Sequence, residues 1–113
     1  MYNHFMLMGR LVKDPEFVEF DDGKKVMNIN LAVRKSFKNI DGEYETEFYR
    51  ISFWEYQLEQ YKAYLKTGMA VFVKGRMQNT VETLMNGYEI SYHTLVGERL
   101  VYFTSPKATI SDE

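Results

Sequence analysis

Along most of this chain apolar residues recur at every second position. Met27, Ile29, Leu31 and Val33 alternate with Asn28, Asn30, Ala32 and Arg34, and Tyr49, Ile51 and Phe53 alternate with Phe48, Arg50, Ser52 and Trp54. A period of two puts each set on one side of a strand, so both stretches predict half-buried strands. Val71 and Val73 against Phe72, Lys74 and Arg76 predict a third within residues 69–77, and residues 78–92 read as a hairpin turning at Asn86-Gly87, with alternation through Tyr88, Ile90 and Tyr92. Residues 5–12 are instead an apolar run interrupted by Gly9. They predict a buried first strand with a bulge or close backbone approach at the glycine, ended by Asp14-Pro15. Residues 17–20 predict a short strand, Asp21-Asp22-Gly23 and Asp41-Gly42 are turn signals, and residues 95–103 predict the last strand with Gly97 as the candidate bulge.

The spacing changes once. Leu58, Tyr61, Tyr64 and Leu65 are apolar at helical intervals over residues 55–66, which would also carry Glu55 and Glu59, and Thr67-Gly68 supplies the stop. The order is strand, long hairpin of two strands, helix, strand, hairpin, strand. Sheets of this size remove exposed edges by closing, and a five-stranded Greek-key barrel with one short helix between strands three and four is an OB-fold, an all-β class. In that fold the face of strands two and three, with the loops joining one to two and four to five, is the usual oligonucleotide surface.

The side of residues 48–54 opposite the apolar one carries two large rings flanking a guanidinium and a small hydroxyl: Phe48, Arg50, Ser52 and Trp54. Rings stack on nucleobases of any sequence, a cation beside them answers the phosphate, and a small residue leaves room for a base to lie flat. Aromatic residues and Arg are equally what a subunit contact or a second layer uses, so parity alone leaves both readings open.

Composition narrows the field. A chain of 113 residues with 45% hydrophobic content buries one core, so a single domain over residues 1–105 with a short polar tail over residues 106–113 is expected. With no cysteine there is neither a disulfide framework nor a thiolate metal site, and no apolar window is long enough to span a bilayer. The formal net charge of -2 disfavours phosphate binding taken as a sum. Its distribution reads differently. Asp21, Asp22, Asp41, Glu43, Glu45 and Glu47 fall at turns and tips, while Arg10, Arg34, Lys35, Lys38, Arg50, Lys74 and Arg76 fall on or beside strands, which fits a basic groove on an acidic body or a mixed solvated surface. Glu43, Glu45 and Glu47 share the parity of Ile51, so their hairpin must project beyond the core. Without a nearby His they read as a solvated tip rather than a metal site. His4 and His93 are the only imidazoles, and neither a phosphate-cradling loop with Lys-Ser or Lys-Thr nor a Ser-centred elbow is present, so neither catalysis nor a cofactor is expected.

Met8-Gly9-Arg10-Leu11 with Lys13-Asp14-Pro15-Glu16, then Leu31-Ala32-Val33, Thr46-Glu47-Phe48-Tyr49-Arg50, Tyr64-Leu65-Lys66-Thr67-Gly68 and Val73-Lys74-Gly75-Arg76-Met77-Gln78 stand in order along the chain. With these stretches, residues 1–107 resemble the bacterial single-stranded DNA-binding protein family. The resemblance implies sequence-independent binding and protection of single-stranded DNA in replication, recombination and repair, in the cytoplasm at the nucleoid, without chemistry. It matches family stacking rings to Phe37, Phe48 and Trp54, and with Arg10, Arg34, Lys35, Lys38, Arg50, Lys74 and Arg76 these form the expected DNA-binding set. It also implies a homotetramer, a dimer of dimers with first-strand residues at one contact and Tyr49 near a subunit interface. Two departures stand out. Where the family often has an aromatic in the hairpin of strands four and five this chain has Glu82, so either that hairpin holds DNA less tightly or Tyr88 or Tyr92 takes over. The family's long tail with an acidic Pro-Phe tip, which recruits replication and repair enzymes, has no counterpart before Ser111-Asp112-Glu113, so recruitment is not expected. The rival reading is an OB-fold interaction module that turns the same rings toward a protein.

Overall fold

The computed structural model describes residues 1–54 and 58–103. Its elements are β1 (Phe5–Leu11), β2 (Glu16–Glu19), β3 (Lys25–Lys38), β4 (Tyr44–Phe53), α1 (Glu59–Tyr64), β5 (Ala70–Thr83) and β6 (Glu89–Tyr102). The strands form one sheet in the order β1-β5-β6-β4-β3-β2, and β1 pairs with β3 as well. That additional pairing closes β1, β5, β6, β4 and β3 into a five-stranded barrel. β3 serves two partners along one edge because β2 pairs over residues 25–28 and β1 over Leu31 and Ala32. The result is the expected OB-fold, with the helix between its third and fourth barrel strands.

Period-two patterning becomes burial directly. Met27, Ile29 and Leu31 of β3, Ile51 of β4, and Val71 and Val73 of β5 are fully enclosed, with Phe53, Leu11, Leu58, Leu65 and Leu100 completing the core. Glu43, Glu45 and Glu47 are exposed on the projecting β3–β4 hairpin, as their parity requires.

Three expectations need correction or sharpening. β1 is half-buried rather than buried: Leu11 enters the core and Phe5 and Leu7 pack against it, but Met6 and Met8 are 65% and 58% exposed. An all-apolar run does not reveal which of its faces the fold covers. Gly9 marks a close approach and not a bulge, since β1 runs in unbroken register along β5 while a Cβ at Gly9 would strike the Ala32 carbonyl. The helix is shorter than its pattern, because Leu65 is already extended at φ -84 and ψ 125. The loop after α1 is pinned to the end of β1: the Thr67 amide and hydroxyl both donate to Asp14 Oδ1 at 2.8 Å, and the Gly68 amide donates to the Leu11 carbonyl at 2.8 Å. The expected helix start at residue 55 and the tail from residue 106 lie outside the described residues.

The irregularity in β6 falls next to Gly97. Lys74 opposes Arg99 and Gly75 opposes Gly97, which leaves Glu98 without an opposing residue, and Gly97 gives its space to the Phe53 ring.

Candidate nucleic-acid interface

The two faces of β4 separate by composition. Ile51 and Phe53 are 0% and 1% exposed, whereas Phe48 and Trp54 are 69% and 47% exposed on the other side, with Arg50 exposed between them. Opposed residues on neighbouring strands share a face, so the register extends this surface sideways. Arg10, Ala32 and Phe48 form one row across β1, β3 and β4; Asn30 and Arg50 form the next; Glu16, Asn28 and Ser52 form the third. Ala32 is the small member of the first row, and the Arg10 guanidinium donates to the Gly68 carbonyl at 2.9 Å. The Ser52 hydroxyl donates to Asn28 Oδ1 at 2.6 Å, which ties the third row together.

Beyond Ser52 the surface dips into a groove of about 610 Å³, lined by Lys24, Ser52, Trp54, Arg76, Gln78, Thr80, Thr94, Val96, Gly97 and Glu98. Trp54 stacks on Phe20, ring centroids 5.5 Å apart and planes 14° from parallel. Phe20 sits at the mouth of the β2–β3 turn, where its amide and carbonyl bond Lys24 and Gly23, and Gly23 takes φ +88 to close the reversal. One turn therefore supplies both the ring behind Trp54 and the Lys24 ammonium at the groove.

At the other end of the face, the Tyr44 ring lies under two cations, Arg34 at 5.3 Å and Lys38 at 5.6 Å from its centroid. Tyr44 has the parity of Phe48 and Arg50, so alternation alone is enough to find it. Nothing in the sequence marks Phe20 or Lys24, which reach the groove through the fold of the turn.

The structure thus brings Arg10, Arg34, Lys38, Phe48, Arg50, Trp54 and Arg76 onto one continuous outer surface. Phe37 is 69% exposed in the stretch between Arg34 and Lys38 where the β3–β4 register shifts, so alternation does not fix its side. Lys74 is the next outward residue along β5 from Arg76, in a row with Met6 and Arg99. Lys35 does not join the surface: it pairs with Glu45 at 3.0 Å on the reverse of the hairpin, beside Glu47 and Tyr49.

Several cations on this surface are held by carboxylates. Arg50 and Lys13 both reach Glu16, at 3.5 and 3.3 Å, and Arg76 reaches Glu98 at 3.3 Å. The hydrogen bond from Lys13, then the charges of Lys13 and Arg50, keep the Glu16 carboxyl below the ordinary glutamate range. These pairs are solvent-exposed and individually weak, so an incoming phosphate can take the carboxylate's place at small cost. In the β5–β6 hairpin the Tyr92 hydroxyl donates to Glu82 Oε1 at 2.5 Å, and that bond, with burial and the Glu82 charge, raises the phenol above its usual range.

A family model described as the single-strand binding protein family matches residues 2–102. Single-stranded DNA-binding protein B of Bacillus subtilis (strain 168) is 36% identical over 107 residues, covering 95% of this chain and 94% of the relative. Single-stranded DNA-binding protein 2 of Staphylococcus aureus (strain Mu50 / ATCC 700699) is 35% identical over 95% of this chain and 75% of its own length. Among solved structures, Plasmodium falciparum SSB in complex with ssDNA superposes with a TM-score of 0.75 at 20% identity, over 92% of this chain and 97% of that one, a likeness of fold. With an OB barrel, the ring-bearing face and a family match spanning nearly all the described residues, this chain belongs to the single-strand binding protein family.

Proposed function

We propose that this protein coats single-stranded DNA without reading its sequence. One observation carries the reading: on β4 the residues that alternate with the buried Ile51 and Phe53 are exposed Phe48, Arg50 and Trp54, with Arg10, Arg34, Lys38 and Arg76 around them. Bases stack on Phe48, Trp54 and Phe37, and the cations, with Lys74 at the margin, track the backbone. No base-edge code is needed, which suits a protein for replication, recombination and repair intermediates in the cytoplasm. No helix among the described residues is long and apolar enough to cross a membrane. Titration with poly-dT at two salt concentrations, read by Trp54 emission, tests the proposal. Quenching and a log affinity that falls by about 0.7 per neutralised phosphate per log unit of salt are expected; no binding, or competition only by a protein partner, overturns it.

The same reading includes assembly as a homotetramer, a dimer of dimers. Its support is the outward side of β1, where exposed Met8 shares a row with Phe72 and Val101 and exposed Met6 stands one row on beside Lys74 and Arg99, leaving apolar surface around Met8 for a second copy to cover. Light scattering should give a tetramer and Met8→Glu a smaller species. A monomer at micromolar concentration sinks the assembly but leaves stacking intact.

A further inference from the structure

We infer that Tyr92 is the base-stacking ring of the β5–β6 hairpin and that Glu82 is its positioning residue. The inference rests on the function proposed above and names a contact within it. Register supplies the first step. Gln78, Thr80 and Thr94 line the same groove as Trp54 and Arg76, and Gln78 opposes Thr94 while Thr80 opposes Tyr92. Opposed residues share a face, as do alternate residues of one strand, so Tyr92 lies on the groove-facing side of the hairpin, beyond Thr94 and beside Thr80. A strand of nucleic acid leaving Trp54 along the groove meets this ring next.

Exposure supplies the second step. Tyr92 is 42% exposed, so much of its ring is available, and it is not among the residues packed against the core. The third step is the hydroxyl, which donates to Glu82 Oε1 at 2.5 Å. A charge-assisted bond of this length fixes the ring's tilt before a ligand arrives, so less motion is lost on stacking. The phenol, raised above its usual range by that bond, stays protonated and neutral at physiological pH and brings no second negative charge to the groove. Glu82 also repels phosphate, so its two effects oppose each other and separate by chemistry: Gln keeps an acceptor without the charge, and Leu keeps neither.

The experiment is a poly-dT titration of the full chain, with thermal melts on every variant. Tyr92→Ala and Tyr92→Leu should each weaken binding by roughly five- to 150-fold, the loss expected for one stacked base, with Tyr92→Phe closer to the wild type than either. Glu82→Gln should bind more tightly than Glu82→Leu, and that difference should vanish in the Tyr92→Phe background, where no hydroxyl remains to be held. A merely structural Glu82 would give the same gap in both backgrounds. Wild-type-like binding by Tyr92→Ala and Tyr92→Leu, while Trp54→Ala binds poorly, overturns the Tyr92 assignment alone. Failure of the wild-type protein to bind poly-dT overturns the proposed function and this inference together.

Discussion

Trp54 and Phe20 lie ring against ring at 5.5 Å although they follow different strands, β4 and β2. Phe20 covers one side of the indole, and Trp54 also lines the groove. Trp54→Ala should therefore cost about 1 to 3 kcal/mol of poly-dT affinity with little change in melting temperature. Phe20→Ala should cost less affinity but lower the emission anisotropy of the single tryptophan by removing its backing. If Trp54→Ala melts early and binds normally when folded, the indole is structural.

The reverse pattern is expected one residue away. Ile51→Ala and Phe53→Ala leave cavities among fully enclosed neighbours and should destabilise the fold by roughly 2 to 5 kcal/mol in denaturant melts. Phe48→Ala should leave stability almost unchanged and weaken DNA binding. Equal melting of Phe48→Ala and Ile51→Ala would contradict the two-faced reading of β4.

Acid should act on the clamp between β1 and the loop after α1. The Thr67 hydroxyl and amide, then the nearby Lys66, lower the Asp14 carboxyl below the ordinary aspartate range. A carboxyl depressed in the folded state adds stability that is complete above its unfolded-state value and disappears as pH falls through its folded-state value. Stability should thus begin to fall at the normal aspartate range and keep falling below it. Asp14→Asn should melt earlier at neutral pH and show a shallower acid decline, measured by thermal melts from neutral pH downward.

Glu16 pairs with Arg50 and Glu98 with Arg76, so each carboxylate occupies an arginine that the proposed function assigns to phosphate. Glu16→Gln and Glu98→Gln should tighten poly-dT binding at low salt, and the gain should fade as salt rises because exposed charges are screened. Titrations at several salt concentrations check this, and unchanged affinity would mean that those two arginines do not meet DNA.

Much of this architecture is legible in the sequence because barrel strands write their two faces at period two. Met27 to Leu31 and Phe48 to Trp54 sort themselves by alternation alone. Position along a single strand says little about what other strands bring alongside. Phe20 reaches Trp54, Glu16 reaches Arg50 and Glu98 reaches Arg76 through pairings far apart in sequence, and none has a local signal. Charge places Lys35 with the DNA-binding set, yet its parity, shared with Val33, points to the reverse face. The chain leaves α1 at Leu65 and is then held where the Thr67 amide and hydroxyl donate to Asp14, a tertiary contact that helical spacing does not encode.

The barrel's parallel seam is short: β4 and β6 meet over Ile51 with Leu95 and Ser52 with Val96. Such a ladder breathes more readily than the long β5–β6 hairpin, so its amides should exchange with solvent deuterium sooner than those of the hairpin's barrel end. Ser52 and Trp54 border the groove from one side of that seam and Thr94 and Val96 from the other, so a polymer seated there straddles it like a suture. Occupancy would then slow exchange at Leu95, which pairs with Ile51 on the core side of the seam and does not line the groove, so the polymer need never touch it.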